Sequence, residues 1–182
     1  MAKIKKMNEE LLNKENYTKK EIVELLSLKD KNEIKKLHSR SEEVRQQYCG
    51  NEIHLRGIIE FSNYCRQDCT YCGLRHSNKK VDRYRMSQDE IIAAAEVINN
   101  SGIKTIVLQS GEDAFYTGQI IAYIISEIKS KFDVAITLSL GERLFTEYEL
   151  WRKCGADRYL LKHETANREI YSQIHPHQNF DN

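Results

Sequence analysis

Apolar and polar positions along this chain follow two rhythms that take turns. Short runs rich in β-branched and aliphatic residues, at Ile53–Phe61, Thr105–Gln109, Val134–Ser139 and Arg158–Lys162, read as strands. Between them, apolar residues at helical spacing predict helices from Ser87 to about Asn100, from about Thr117 to Lys131, from about Thr146 to Cys154, and a last one starting near Asn167. Ser87 followed by Glu90 resembles a capping box, as do Thr18 with Glu21 and Asp30 with Glu33. The two earlier signals open two helices. Ile22, Val23, Leu25 and Leu26 draw an apolar stripe on the first, and Ile34, Leu37 and Val44 on the second. The expected organisation is a helical extension over residues 1-50 followed by a core over 51-182. Strict alternation of strand and helix in that core argues an α/β fold with a parallel sheet and right-handed crossovers.

Composition narrows the function classes. The 182 residues are enough for one domain with a real core. Net charge is +1, and acidic and basic residues interleave through the first 45 positions. That pattern reads as solvated helix faces, not as a nucleic-acid footprint. The apolar run Ile120–Ile125, interrupted by Tyr123, is far too short to span a membrane. With no secretory signal expected, a reducing cytoplasm is the anticipated location. Pro176 is the single proline, so no proline-rich linker marks a boundary.

The candidate chemistry lies in the segment Asn63-Tyr-Cys-Arg-Gln-Asp-Cys-Thr-Tyr-Cys72. Cys65, Cys69 and Cys72 are spaced C-x3-C-x2-C. Cys69 and Cys72 alone would suit a redox dithiol or half of a zinc site. No second pair follows for a zinc ribbon, and His175 and His177 stand too close for the usual H-x3-5-H arm. A redox dithiol leaves Cys65 unexplained, and five cysteines make an odd count for disulfides. An iron–sulfur site accounts for all three. A four-iron cluster takes one thiolate per iron, so three would leave one iron open to a ligand that is not protein. Cys49 and Cys154, at predicted helix ends, read as small buried hydrophobes.

On a parallel βα barrel the loops after the strands share one rim, and chemistry collects there. The cysteines follow the first predicted strand, Ser110-Gly-Glu-Asp113 the second, Ser139-Leu-Gly-Glu142 the third and His163-Glu-Thr165 the fourth. Each cluster has two readings. Ser110, Gly111 and Glu112 either present backbone groups to a zwitterionic amino acid or form a turn and helix cap. Glu164 either accepts hydrogen bonds from a ribose or caps the next helix. Ser139 and Thr137 are ligand hydroxyls or filling for barrel layers. Lys162 pairs with a ligand carboxylate or with Glu164. His163 reads as a packing or capping residue, and Arg83-Tyr-Arg85 as a strap holding the chain to the sheet.

The cysteine spacing, with the aromatic Tyr71 before the last cysteine, resembles the signature of radical S-adenosylmethionine (SAM) enzymes. Ile58–Asn63, Tyr71–Arg75, Arg83–Met86, Thr105–Asp113, Thr137–Glu142 and Gly155–Ala166 are similar to the HydE family of FeFe-hydrogenase H-cluster maturases, from about residue 15 to the end. The similarity corresponds to the first half of a family member. It implies a partial parallel (β/α) barrel of the radical SAM type, about four βα units preceded by N-terminal helices. Also implied are a 4Fe-4S cluster on Cys65, Cys69 and Cys72 and reductive cleavage of S-adenosyl-L-methionine to a 5′-deoxyadenosyl radical. By the same analogy Tyr71 lies near the adenine, and Ser110, Gly111 and Glu112 meet the methionine amine. Glu164 contacts the nucleoside or methionine portion, and Ser139 and Lys162 are further cofactor-binding candidates. No residue is assigned a catalytic role.

The implied substrate is a small molecule or an organometallic iron precursor, with a reductant protein and other hydrogenase maturation proteins as partners. Two departures stand out. Lys162 occupies a position where close relatives are expected to carry arginine, and four strands cannot close a barrel, which predicts an open sheet edge and an exposed apolar inner face. A biotin synthase-like or methylornithine synthase-like radical enzyme, and an iron–sulfur-binding fragment without activity, remain as alternatives.

Overall fold

The computed structural model describes residues 9–181, and the chain divides into two compact units, residues 1–54 and 55–182. The first holds α1 (Glu9–Leu12), α2 (Lys19–Leu26) and α3 (Lys31–Cys49). Thr18 and Glu21 form the reciprocal capping box at the head of α2. Asp30 Oδ1 accepts from the Asn32 and Glu33 amides at 2.9 and 3.1 Å to start α3. Leu11, Leu12 and Leu25 make a small core with Leu28 and Leu37 against it. Of the predicted stripes, Leu25 is buried, whereas Ile22, Val23, Leu26 and Val44 are exposed. α2, only two turns long, meets this small cluster along one line, so its Ile22, Val23 and Leu26 stay at the surface. Cys49 is exposed as well, not the buried hydrophobe expected.

The second unit alternates β1 (Gly57–Ser62), α4 (Gln88–Asn100), β2 (Thr105–Ser110), α5 (Gly118–Lys131), β3 (Ala135–Ser139), α6 (Phe145–Lys153), β4 (Arg158–Tyr159) and α7 (Arg168–Ile174). The sheet order is β1-β2-β3-β4, parallel throughout. Ile59, Leu108 and Leu138 share one register layer. One sheet face, carrying Ile59, Phe61, Ile106, Leu108, Ile136 and Leu138, packs on the helices. They supply Ile91 and Ala95 from α4, Ile121, Ile124, Ile125 and Ile128 from α5, and Trp151 from α6. The spacing of these positions is the helical period that the sequence displays. Each buried isoleucine contributes about 1.5–3 kcal/mol relative to exposure, so this layer dominates the stability of the unit. Trp151 satisfies its indole N–H on Gly118 O at 2.9 Å.

Strand limits differ from the sequence expectation at both sheet edges. β1 begins at Gly57, because that residue is the first with a register partner, Ile106, on β2. Ile53–Arg56 are exposed and lie outside the ladder. β4 keeps two residues instead of five, since only Arg158 and Tyr159 pair with β3, and Leu160 adds one further amide bond to Leu138 O. Parallel pairing puts every strand's carboxyl end, and hence loops 63–86, 111–117, 140–144 and 160–167, on one rim.

Candidate functional site

The cysteine loop leaves β1 and is folded by main-chain bonds local to it. Cys72 N–H donates to Cys69 O at 3.0 Å, and His76 N–H reaches back to Gln67 O at 2.8 Å. Arg83 collects the loop's carbonyls. Its guanidinium donates to Leu74 O at 3.0 Å, Arg75 O at 2.9 Å and Asn78 O at 3.2 Å, and also to Asn63 O. Each of those oxygens would otherwise face away from a ladder partner, so Arg83 does for this loop what secondary structure does elsewhere. The strap expected from Arg83-Tyr-Arg85 is present, with Arg85 bridging antiparallel to Ser62 and Met86 N–H donating to Phe61 O at 2.8 Å.

Two further loops are built against this one. Arg85 grips Asp113 through Nε at 2.7 Å and a second guanidinium nitrogen at 2.9 Å, while Ser62 Oγ donates to the same carboxylate at 2.7 Å. Although burial pushes Asp113 upward, Arg85 and Ser62 outweigh it and hold the carboxyl below its ordinary range. Tyr64 and Phe115 flank the guanidinium, at 3.9 and 4.8 Å from its carbon to their ring centres. Glu112 is buried and ties all three loops together. It accepts from Arg66 Nε at 2.9 Å and Gln67 Nε2 at 2.7 Å on the cysteine loop, and from Glu142 N–H at 3.0 Å on the third loop. Two glycines permit the approach. A Cβ on Gly111 would overlap Tyr64 O and lie 2.7 Å from Cys65 Cβ, and one on Gly141, where φ is +76°, would overlap the Glu112 side chain.

The result is a cavity of about 350 Å³ on the rim. Cys65, Cys69 and Cys72 line it together with Ser110, Gly111, Glu112, Ser139 and Lys162, so eight of the ten residues expected at the site meet there. The other two, Tyr71 and Glu164, are exposed and outside the lining. Tyr71 instead bonds through its hydroxyl to His175 Nε2 at 2.9 Å. Burial, then the nearby Cys69 and Glu164, push its phenol well above the ordinary value. Glu164 has φ of +63°, a left-handed conformation that a residue with a Cβ adopts at a cost of order 1–3 kcal/mol and that clusters at functional sites. The Glu112 side chain is committed to neighbouring protein groups, which leaves the backbone of Ser110–Glu112 as the part of that loop able to meet a ligand.

Several residues at the site carried no sequence signal. Glu60 and Gln109 line the cavity and bond to each other at 3.0 Å across β1 and β2. Alternation along each strand points these side chains away from the helix-covered face, which the spacing alone could have flagged. Gln67 and Arg66 looked like spacers within the cysteine motif. Gln178 and His175 come from the far end of the chain, and no local pattern connects them to residue 70.

The donor set suits an iron–sulfur cluster. Cys65 Sγ accepts two backbone amides, from Gln67 and Glu112, each at 3.4 Å, the kind of donor found around cluster sulfurs. Burial raises the Cys69 thiol above its ordinary value, and the neighbouring Tyr71 acts in the opposite direction. Among the described residues no trio of His, Cys, Asp or Glu side chains converges on a point fit for a single ion. A four-iron cluster, with one thiolate per iron, instead takes ligands that stand apart around a shared space, and here the three cysteines line one cavity. Gly111 leaves the wall beside Cys65 without a side chain.

Known proteins resemble this chain in sequence and fold. A model of the Radical SAM superfamily matches residues 59–182. The [FeFe] hydrogenase maturase subunit HydE of Thermotoga maritima is 47% identical over 95% of this chain and 49% of its own length. A 3-methylornithine synthase of Methanosarcina acetivorans is 30% identical over 86% of this chain and 45% of its own. The X-ray structure of the FeFe-hydrogenase maturase HydG from Carboxydothermus hydrogenoformans superposes with a TM-score of 0.85 at 26% identity, covering 95% of this chain and 41% of that one. The chain thus spans about half the length of the curated relatives it matches.

Proposed function

The chain belongs to the radical SAM superfamily of enzymes, whose members bind a 4Fe-4S cluster and S-adenosylmethionine on a barrel of parallel βα units, and we propose that Cys65, Cys69 and Cys72 are its cluster ligands. The observation that carries this is the shared cavity, lined by all three cysteines and by the Ser110–Glu112 loop. Three thiolates would leave one iron for the amine and carboxylate of the methionine moiety. Gly111 keeps the backbone of that loop bare toward the ligand, while Arg66, Gln67 and the Glu142 amide hold Glu112 so that the loop does not reorganise on binding. Ser139 offers a hydroxyl from the end of β3, and Lys162 a cation to a ligand carboxylate. Tyr71 and Glu164 lie outside the cavity lining, and the proposed contact with the nucleoside rests on the resemblance alone. When bound, a cluster held by Cys65, Cys69 and Cys72 would supply an electron for reductive cleavage of the cofactor's sulfonium C–S bond.

The biological role we propose is assembly of the FeFe-hydrogenase H-cluster, on the 47% identity to HydE across 95% of the chain. The substrate is then a small molecule or an organometallic iron species, with a reductant protein as electron source. Anaerobic reconstitution with iron and sulfide, followed by EPR of the reduced protein with and without S-adenosylmethionine, tests the reading. A 4Fe-4S signal that changes on adding the cofactor, and that is lost in Cys65→Ala, Cys69→Ala and Cys72→Ala, is the expected result. A folded protein without a cluster, or with one insensitive to the cofactor, would overturn it, the latter in favour of an electron-carrying iron–sulfur module.

A further inference from the structure

The turn that follows α7 packs on the outside of the cysteine loop. Thr70 N–H donates to Ile174 O at 3.0 Å, His177 Nε2 lies 3.7 Å from Asp68 Oδ2, and buried His175 holds the Tyr71 hydroxyl. Gln178 goes further, because its side chain reaches the cavity and its amide oxygen lies 3.6 Å from Cys69 Sγ. In that pairing the thiol donates to the amide oxygen. A cysteine that ligates iron is a thiolate and has no proton to donate, so the contact cannot persist in that form. A primary amide is two-sided, with oxygen and nitrogen in nearly the same shape. Rotation of the amide by half a turn puts Nε2–H where the oxygen stood and restores a hydrogen bond, now from nitrogen to sulfur.

Resting on the ligand assignment above, we propose that Gln178 is a positioning residue for the cluster, donating its side-chain amide to the Cys69 thiolate and raising the cluster's reduction potential. A donor to sulfur withdraws negative charge from the ligand and so favours the reduced, more negative cluster. The backbone amides of Gln67 and Glu112 occupy the same position at Cys65 Sγ. Those two come from the loop itself and from its neighbour, and no side-chain substitution removes them. Gln178 is therefore a place where a side chain can set the potential. It also couples the cysteine loop to a segment 109 positions away in sequence.

The test is a redox titration of the reconstituted cluster, without S-adenosylmethionine and followed by EPR, on the parent, Gln178→Leu and Gln178→Glu. Leucine removes the donor at similar volume, and glutamate keeps the shape but presents only acceptors to sulfur. Both lower the potential, glutamate more, with leucine changing the reduced-to-oxidised ratio at fixed potential by on the order of tenfold, about 59 mV for a one-electron couple. His177→Ala, on the same turn, is the control and leaves the potential unchanged. Equal potentials in parent and Gln178 variants overturn the inference while leaving the cluster ligands intact. An equal shift in His177→Ala overturns it too, because the turn's grip and not the amide would then be responsible. A parent that assembles no cluster overturns the ligand assignment and this inference together.

Discussion

Replacing Arg85 by methionine should test whether the strap is what holds the cavity wall in place. Asp113 is 3% exposed, and Arg85 supplies two of its four hydrogen-bond donors, the others being Ser62 Oγ and the Phe115 amide. Removing one partner of a buried pair costs about 3–5 kcal/mol, because the remaining charge is left desolvated. The Arg85 side chain is itself 36% exposed, so water can replace part of what is lost, and the lower end, about 3 kcal/mol, applies. Asp113→Asn keeps the shape and costs about 1–2 kcal/mol. Because the residues act as one unit, the double variant should lose about 2 kcal/mol less than the sum of the two.

Urea denaturation of the protein without cluster, followed by circular dichroism, reads these differences as shifts in midpoint. Acid supplies a second readout. The folded-state pKa of Asp113 is depressed, so its pairing stabilises the protein above the unfolded carboxyl value of about 3.9 and the effect is lost as pH falls through the folded value. The gap between parent and Arg85→Met should therefore narrow below about pH 4. A coupling under about 0.5 kcal/mol, or a gap that does not narrow in acid, would refute the account of the strap.

Gly141→Ala should destabilise by about 2–4 kcal/mol, adding the left-handed backbone penalty to overlap with Glu112. It should also lower the yield of reconstituted cluster, and a midpoint within scatter of the parent would show that the loop relaxes freely. Arg83→Lys keeps the charge but reaches fewer of the four carbonyls that the guanidinium gathers, so iron content per chain after reconstitution should fall while the core stays folded. Unchanged iron content in that variant would mean that the loop's own main-chain bonds suffice.

Much of this protein is legible in the order of its residues. The β-branched runs and the helical spacing of Ile121, Ile124, Ile125 and Ile128 dictate a parallel alternation, since each element can bury its apolar side in only one way. That alternation carries the three cysteines, Ser110–Glu112 and Ser139 to a single rim, where the cysteine spacing points to an iron–sulfur site while Ser110–Glu112 reads equally as a ligand loop or a helix cap. Tertiary structure alone decided what ties them together. Where strands stop depends on a partner, as at Gly57 and Tyr159, and a partner's register is not written in the strand itself. The Glu112 side chain is consumed by Arg66, Gln67 and the Glu142 amide because a buried charge must be paired, and nothing in the local sequence names those partners. The meeting of Gln178 with Cys69, and of His175 with Tyr71, joins positions more than a hundred residues apart. Local periodicity reports which face of an element is buried, and only the folded chain reports what lies against it.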